Sequence, residues 1–541
     1  MAQQAQAKAQ EIPTVGEALV TLLEGYGVEL VFGIPGVHTI SLYKGLPGSS
    51  IRHVLTRHEQ GATFMADGYA RVTGKPGVCL LITGPGITNG ATGIGQAYSD
   101  SQPMLILSAV NQRSSLGRGY GHLHEMKDQR ALTSAITGFS ATALTPADVP
   151  DLIARAFALF KGNRPRPVHI ELPLDVIDSP AEGDWRVRQL NGPPVPPQRD
   201  ILAAAELLLS AQRPLIIAGG GAVDAGPAIV ALAERLGAPV ITTVAAKGVL
   251  PPTHPLHVGQ GLQRASGLAL LKEADRVLVL GSELGETDHW QERLPIAGDL
   301  IRVDLDSAKL VDLYPARLAI LGDAAAAANA LVTALGEGKA QAAGNWGAAR
   351  VASTRQELLQ PRSGLSRKHE NVLAVMKKVL PPDAIIASDM TQIAYTGNTT
   401  YDMARPRSWL HPLGYGTLGY GLPAAIGAKL GQPKKAVVAV AGDHGFLYTA
   451  QDLITAVEEK LPLVVVLWHN HALGAIRDGM IERGVQQIAV TPIVPDYLML
   501  ARAYGAKAVS ASSLADFEQQ LAAAIASDEV TLIEVREQIA G

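Results

Sequence analysis

The sequence predicts an α/β protein of three doubly wound domains built on mainly parallel sheets, and three observations lead there. The chain has 541 residues, more than one hydrophobic core usually supports. Apolar runs of five to seven residues bounded by Gly or Pro alternate with segments of helical period, the pattern of βαβ units. Two breaks divide the chain: Pro-rich NGPPVPPQ at 191–198, and a polar stretch without strand signals near 337–366. The predicted domains are 1–185, 195–340 and 365–541.

With 47% hydrophobic residues such a chain can bury several cores, and a net charge of −4 gives no electrostatic case for nucleic acid or an anionic membrane as partner. Small molecules are the expected ligands. MAQQAQAKAQ at the start has neither a basic nor an apolar targeting region, and no apolar run reaches about 18 residues without a charge, Gly or Pro. The reading is a soluble, cytoplasmic protein. Cys79, the only cysteine, sits in the apolar run VCLLITG, which excludes an intrachain disulfide and predicts a core-packing role.

The first and third domains share a module. VCLLITG leads into Gly84-Pro85-Gly86, a helix-like segment, Pro103 and MLILSAV; AVVAVAG leads into Gly442-Asp443, a helix-like segment, Pro462 and LVVVLW. The spacing from Gly84 to Pro103 is 19 residues and that from Gly442 to Pro462 is 20. Two similar domains therefore flank a different one. The middle domain has its own glycine turn, Gly219 to Gly221 after PLIIA, which a tight βα turn needs for steric reasons and which by itself is a weak nucleotide signal.

Asp443 and Asn470 end successive strands, 27 residues apart, at the sheet edge where open α/β folds bind ligands. A carboxylate, an amide oxygen and a carbonyl such as that of Ala472 make the hard oxygen set that Mg²⁺ accepts alongside a phosphate. A helix expected after Gly445 would aim free N–H groups at the same phosphate. Taken alone, the pair also fits an Asp capping a helix and an Asn ending a strand.

GDHGFLYTAQDLITAVEEKLPLVVVLWHN resembles the diphosphate motif of thiamine-diphosphate enzymes. VFGIPG, RHEQGATFMADGYAR and LLITGPGITNGATGIGQAYSDSQPMLILSA resemble their pyrimidine-binding domain, and GYGTLGYGLPAAIGAKLG resembles their cofactor-positioning loop. The similarity covers all three domains in order and identifies the chain as similar to the acetolactate synthase and 2-oxo acid decarboxylase group.

That resemblance implies thiamine diphosphate and Mg²⁺ as cofactors. It implies that Glu59 hydrogen-bonds the aminopyrimidine ring, a task for a carboxyl group in a dry pocket; a Glu capping a helix, or pairing with Arg57 or Arg71, is the blander alternative. Leu418 matches the residue that wedges between the two cofactor rings, and Gly416 the carbonyl that receives the amino proton. Pro35, Thr391, Gln392, Gly442 and Gly445 complete the implied cofactor contacts, with Asp443, Asn470 and Ala472 on the metal; His444, a departure from the family pattern, either crowds the metal or contacts a phosphate oxygen. In this family the two half-sites meet across subunits, so a homodimer is the minimum and a homotetramer is expected. The implied reaction is decarboxylation of a 2-oxo acid to an aldehyde, with carboligation, as in acetolactate synthases, as the alternative outcome.

Departures from the family pattern carry the specificity. His444 replaces the small third residue of Gly-Asp-Gly, and His469 the first of two asparagines. Val37 stands where several decarboxylases place an acid or hydroxyl, and Ile476 where pyruvate-type enzymes carry a proton-donating Glu. Proton handling must come from elsewhere, and RGYGHLHEMKDQR offers His122, His124 and Glu125 as catalytic candidates, with His38 and Gln112 as further ones. ITGFS lacks the lysine of acetolactate synthases, and GQGL at Gly259 to Leu262 replaces their flavin-binding run, which predicts neither FAD nor acetolactate synthesis. IPGVHT, LHEMKDQ, RPRPVHIELPLDV and HPLGYGTLGYGLPAAIGAKL together look most like 5-guanidino-2-oxopentanoate (2-ketoarginine) decarboxylases. A guanidinium substrate requires a carboxylate acceptor. Glu125 and Asp128, or Asp478 and Glu482 on one helical face, are the candidates, against the reading of an ordinary solvated face.

Overall fold

Runs such as MLILSAV, VVAVAG and VVVLWH are apolar on both faces, so they are stable only as strands covered by helices on each side. Each is a fully buried strand in the computed structural model, which describes residues 12–337, 344–360 and 363–541. The first sheet contains β1 (Leu30–Gly33), β2 (Arg52–Leu55), β3 (Gly77–Leu81), β4 (Met104–Val110), β5 (Phe139–Thr142) and β6 (Val168–Pro173), in the order β2-β1-β3-β4-β6-β5. The second contains β7 (Pro214–Ala218), β8 (Val240–Thr242), β9 (His257–Gly259), β10 (Arg276–Leu280), β11 (Asp299–Asp304) and β12 (Leu318–Leu321), in the order β12-β11-β10-β7-β8-β9. The third contains β13 (Ile385–Ser388), β14 (Trp409–Leu410), β15 (Val437–Gly442), β16 (Val464–His469), β17 (Lys507–Ser510) and β18 (Thr531–Arg536), in the order β14-β13-β15-β16-β18-β17. Every pairing in the three ladders is parallel.

The predicted fold class is therefore present, and the shared module has a topological counterpart. Counted from their own first strands, the first and third sheets have the same order, whereas the middle sheet has the doubly wound order in which its first and fourth strands are central neighbours. The described residues form two compact units: one takes the chain to Ala66, Pro76–Lys161 and Pro165–Asn191, and the other Asp67–Lys75, Gly162–Arg164 and Gly192–Gly541. The first sheet's strands lie in the former, the second and third sheets' strands in the latter.

Each sheet buries its own aliphatic layer. Leu80, Leu105 and Ile170 pack with Leu19, Leu23 and Ile153 on the first, and Val438, Val466 and Ile533 with Val372, Met376 and Phe517 on the third. Each such side chain contributes about 1.5–3 kcal/mol through removal from water. Cys79 is fully buried, its Sγ directed at the Ala62 carbonyl 3.6 Å away, and burial pushes its thiol far above the ordinary range, so it packs the core. The glycines after β7 are steric: a Cβ on Gly219 would stand 2.2 Å from the Gly281 carbonyl oxygen, where the turn after β10 packs.

Two expectations change. The second break holds a helix, Ala348–Leu358, whose Val351 and Leu358 are buried; residues 338–343 and 361–362 of that break, and the chain start at 1–11, lie outside the described residues. The helix expected after Gly445 begins at Asp443 and ends at Leu447, followed by a 3₁₀ turn at Ala450–Asp452 and a second helix at Leu453–Glu458. The break falls at Thr449, whose φ of −140° leaves helical geometry while its hydroxyl donates to the Gly419 carbonyl at 2.7 Å. Among the described residues no helix is long and apolar enough to cross a membrane.

Candidate active site

Parallel pairing of β15 with β16 brings Asp443 and Asn470, each one residue past its strand, to the same carboxyl edge. The Asp443 carboxylate is buried and accepts the N–H of His444 at 3.0 Å and that of His471 at 2.8 Å. His471 has φ +55°, the left-handed conformation that turns its N–H toward the aspartate. Tyr497 donates its hydroxyl to the Asp443 carbonyl at 2.8 Å. Asn470 offers its Nδ2 to Gln392 Oε1 at 3.4 Å, leaving Oδ1 to accept the Ala472 N–H at 3.1 Å. Gln392 Nε2 in turn donates to Asp478 Oδ2 at 2.8 Å.

Glycines leave room at this edge. A Cβ on Gly442 would stand 2.9 Å from Thr391 Oγ1, one on Gly445 2.8 Å from Asp389 Oδ2, and one on Gly474 2.3 Å from Gln392 Oε1. Thr391 precedes and Gln392 starts the helix Gln392–Thr400, so both residues lie at this edge. Buried His444 leaves its Nε2 without a hydrogen-bond partner. His469 is buried with its Nδ1 2.6 Å from Glu534 Oε1 and its Nε2 3.1 Å from His471 Nδ1 and 3.8 Å from Asp443 Oδ2, so it holds the turn.

Asp389, not singled out in the sequence, anchors the neighbouring loop. It follows β13, is almost wholly buried, and accepts the N–H of Gly419 at 3.0 Å and that of Met390 at 2.8 Å. Burial pushes its carboxyl up to about 6, against the backbone N–H groups that favour its charge. The signal was available: AIIASD ends in Asp as VVAVAGD does, one strand away. The anchored loop has left-handed glycines at Gly416 (φ +69°) and Gly419 (φ +80°), and half-buried Leu418 stands between them.

In the first unit Glu59 starts the helix Glu59–Thr73 beyond β2 and is buried. Asn89 donates to its Oε2 at 3.0 Å, and a Cβ on Gly86 would lie 3.5 Å from its Oε1. Arg71 pairs with Asp67 rather than with Glu59. Gln129, also missed, bolts this edge together: its Oε1 accepts the Gly84 N–H at 2.8 Å while its Nε2 donates to Ser108 Oγ, the Ala109 carbonyl and Glu171 Oε2. Pro35 lines a cleft of about 480 Å³ with Tyr43, Ile51 and His53; Glu59 is not part of that lining.

The histidine loop divides by role. Glu125 gives both carboxylate oxygens to the loop backbone, accepting N–H groups of Gly119, Tyr120, Gly121 and His122 at 2.7–3.3 Å. Desolvation raises its pKa, and the four N–H groups more than offset this and hold it below the ordinary carboxylate value. His122 is exposed; half-buried His124, at φ +61°, faces His38. Of the guanidinium acceptors considered, Asp128 caps the helix Gln129–Ser134 and Asp478 engages Gln392 and Arg477, while Glu482 is exposed at the end of the helix Gly474–Glu482.

Thiamine diphosphate fits both edges. Glu59 supplies a buried carboxyl beside side-chain-free Gly86; Asp443, Asn470 and the Ala472 carbonyl supply hard oxygen donors, and His444 an uncommitted buried nitrogen. The sequence matches the thiamine pyrophosphate enzyme N-terminal TPP binding domain over residues 13–132, the central domain over 201–331 and the C-terminal TPP binding domain over 389–535. It is 54% identical to the "Probable 2-ketoarginine decarboxylase AruI" of Pseudomonas aeruginosa, covering 97% of this chain and 94% of the relative. Identity to the "Probable acetolactate synthase large subunit" of Methanocaldococcus jannaschii is 32%, over 96% and 91% of the two chains. For the Escherichia coli "Acetolactate synthase isozyme 1 large subunit" it is 31%, over 97% and 94%. With two chemically distinct sheet edges that suit the two ends of one cofactor, and these matches along its length, the chain belongs to the thiamine pyrophosphate enzyme family.

Proposed function

We propose that this chain is a thiamine-diphosphate- and Mg²⁺-dependent 2-oxo acid decarboxylase whose substrate is 5-guanidino-2-oxopentanoate. The observation that carries the reading is the convergence of Asp443 and Asn470 at the ends of adjacent strands β15 and β16, in a chain 54% identical to a relative named as a 2-ketoarginine decarboxylase. The cofactor, when bound, supplies the nucleophilic carbon and the electron sink that cleavage of the carboxylate requires.

In this reading Asp443, Asn470 and the Ala472 carbonyl hold Mg²⁺, and Thr391, Gln392, Gly442, His444 and Gly445 surround the diphosphate. Glu59 would hydrogen-bond the aminopyrimidine and exchange a proton with it, the Gly416 carbonyl would accept a hydrogen bond from its amino group, and Leu418 and Pro35 would pack against the cofactor rings. His122 and His124 handle substrate-side protons, and Glu125 positions them through the loop backbone. Domain limits of 1–185, 195–340 and 365–541, a cytoplasmic location and a homodimer or homotetramer that completes each site across subunits belong to the same proposal. Relatives at 31–32% identity named as acetolactate synthases supply the second reading, a carboligase.

The test is kcat/KM for CO₂ release across 5-guanidino-2-oxopentanoate, pyruvate, benzoylformate and branched-chain 2-oxo acids. The guanidino acid is expected to lead by about 10²-fold or more, since a desolvated charged pairing adds about 3 kcal/mol. Equal or better turnover of pyruvate would overturn the substrate assignment.

A further inference from the structure

The overall reaction, R–CO–COO⁻ + H⁺ → R–CHO + CO₂, consumes one proton. The carbon–carbon bond breaks, CO₂ leaves, and the electron pair left behind becomes a C–H bond. Something must deliver that proton, and position 476, where pyruvate-type relatives carry Glu, is Ile.

His38 and His124 meet at the edge of the first sheet with ring centroids 5.1 Å apart, edge to face at 72°. Both are mounted rigidly. The His38 turn is stapled by Thr39, whose Oγ1 accepts the Gly36 N–H and whose backbone N–H reaches the Gly36 carbonyl at 2.8 Å. His124 is held by Glu125's grip on the loop, by Asn111 donating to the Leu123 carbonyl at 3.2 Å, and by its own carbonyl against Gly84, where a Cβ would come within 2.5 Å. In both rings Nδ1 is buried without a hydrogen-bond partner, and His38 is only 9% exposed. Two unsatisfied buried imidazole nitrogens side by side would each cost about 1–3 kcal/mol in a purely structural role. Their flanks, Val37, Ile40 and Leu123, are exposed apolar side chains.

We propose that His38 is a positioning residue for proton delivery, working with His124 as a two-imidazole supply that carries the reaction's proton to the product carbon. The inference rests on the proposed decarboxylation. Burial lowers the proton affinity of His38, and His124 lowers it further. At this separation protonation of one ring opposes protonation of the other. The carboxylates on adjoining segments are engaged elsewhere: Glu125 on four loop N–H groups and Glu59 on Asn89.

The test uses the holoenzyme with rapid quench and separate assay of CO₂ and aldehyde, in wild type, His38→Phe and His38→Asn, with cofactor binding measured by intrinsic fluorescence. If the pair supplies the proton, each variant binds cofactor normally and releases its first CO₂ at a rate within about twofold of wild type, but forms aldehyde about tenfold more slowly, with partial rescue by added imidazole. Loss of first-turnover CO₂ in parallel with aldehyde, loss of cofactor binding, or unchanged aldehyde formation in His38→Asn would overturn the inference. Wild-type protein that released no CO₂ from any 2-oxo acid would overturn the proposed function itself, and the inference with it.

Discussion

The first and third sheets have the same strand order and opposite chemistry at their carboxyl edges. The third edge is crowded and charge-committed: the Asp443 and Asp389 carboxylates accept backbone N–H groups, and glycines leave room where any side chain would collide. The first edge ties its own backbone together through Gln129 and Glu125 and leaves other groups less engaged. It presents Glu59 with one amide partner, and two imidazoles with unpartnered buried nitrogens. The same strand order thus carries turns of different composition at its two carboxyl edges. A pre-satisfied carboxylate suits a metal and a phosphate, which must be held; under-satisfied groups suit a proton, which must move.

The contrast predicts a separation of binding from turnover. Glu59→Gln should lower kcat by about 10³-fold while cofactor affinity changes little, whereas Asp443→Ala should weaken cofactor binding by about 10²-fold, both followed by fluorescence titration and steady-state kinetics. If Glu59→Gln abolished cofactor binding, the division between the edges would fail.

Asp389 sharpens the comparison through pH. Its folded-state pKa of about 6 lies above the unfolded value near 3.9, so its contribution to stability is fully present below the unfolded value and is lost as pH rises to about 6. Asp389→Asn keeps an acceptor for Gly419 and removes the buried charge. Cofactor-free variant should be more stable than wild type above pH 6 by up to about 3 kcal/mol, and the gap should close below about pH 4, as read by urea unfolding. A gap independent of pH would contradict this. The smallest effect is expected from His444→Gly: a loss in cofactor affinity of about tenfold or less, from one nitrogen contact. A variant as impaired as Asp443→Ala would show that the histidine holds the metal.

Legibility in the sequence followed the same contrast. The third edge could be read because its parts are local, Asp443 and Asn470 closing two successive strands. The first edge assembles from distant segments at His38, Glu59, Gly84, His124 and Gln129, which no spacing relates. Gln129 looks like any polar residue opening a helix; only the fold shows its amide spanning Gly84 and β4. Asp389 was legible in principle from the repeated strand-plus-Asp pattern, but its acceptor role depends on Gly419, thirty residues on. Glu125 was legible as a loop carboxylate and not as the loop's own anchor, because four backbone N–H groups converging on one side chain leave no trace in residue type.

The central claim, that the chain cleaves a 2-oxo acid and releases the protonated product, is tested most directly by the molar ratio of CO₂ to aldehyde. The assay uses purified protein with thiamine diphosphate, Mg²⁺ and 5-guanidino-2-oxopentanoate. The account predicts equal amounts of CO₂ and 4-guanidinobutanal; CO₂ accompanied by a coupled hydroxyketone instead of aldehyde would contradict it.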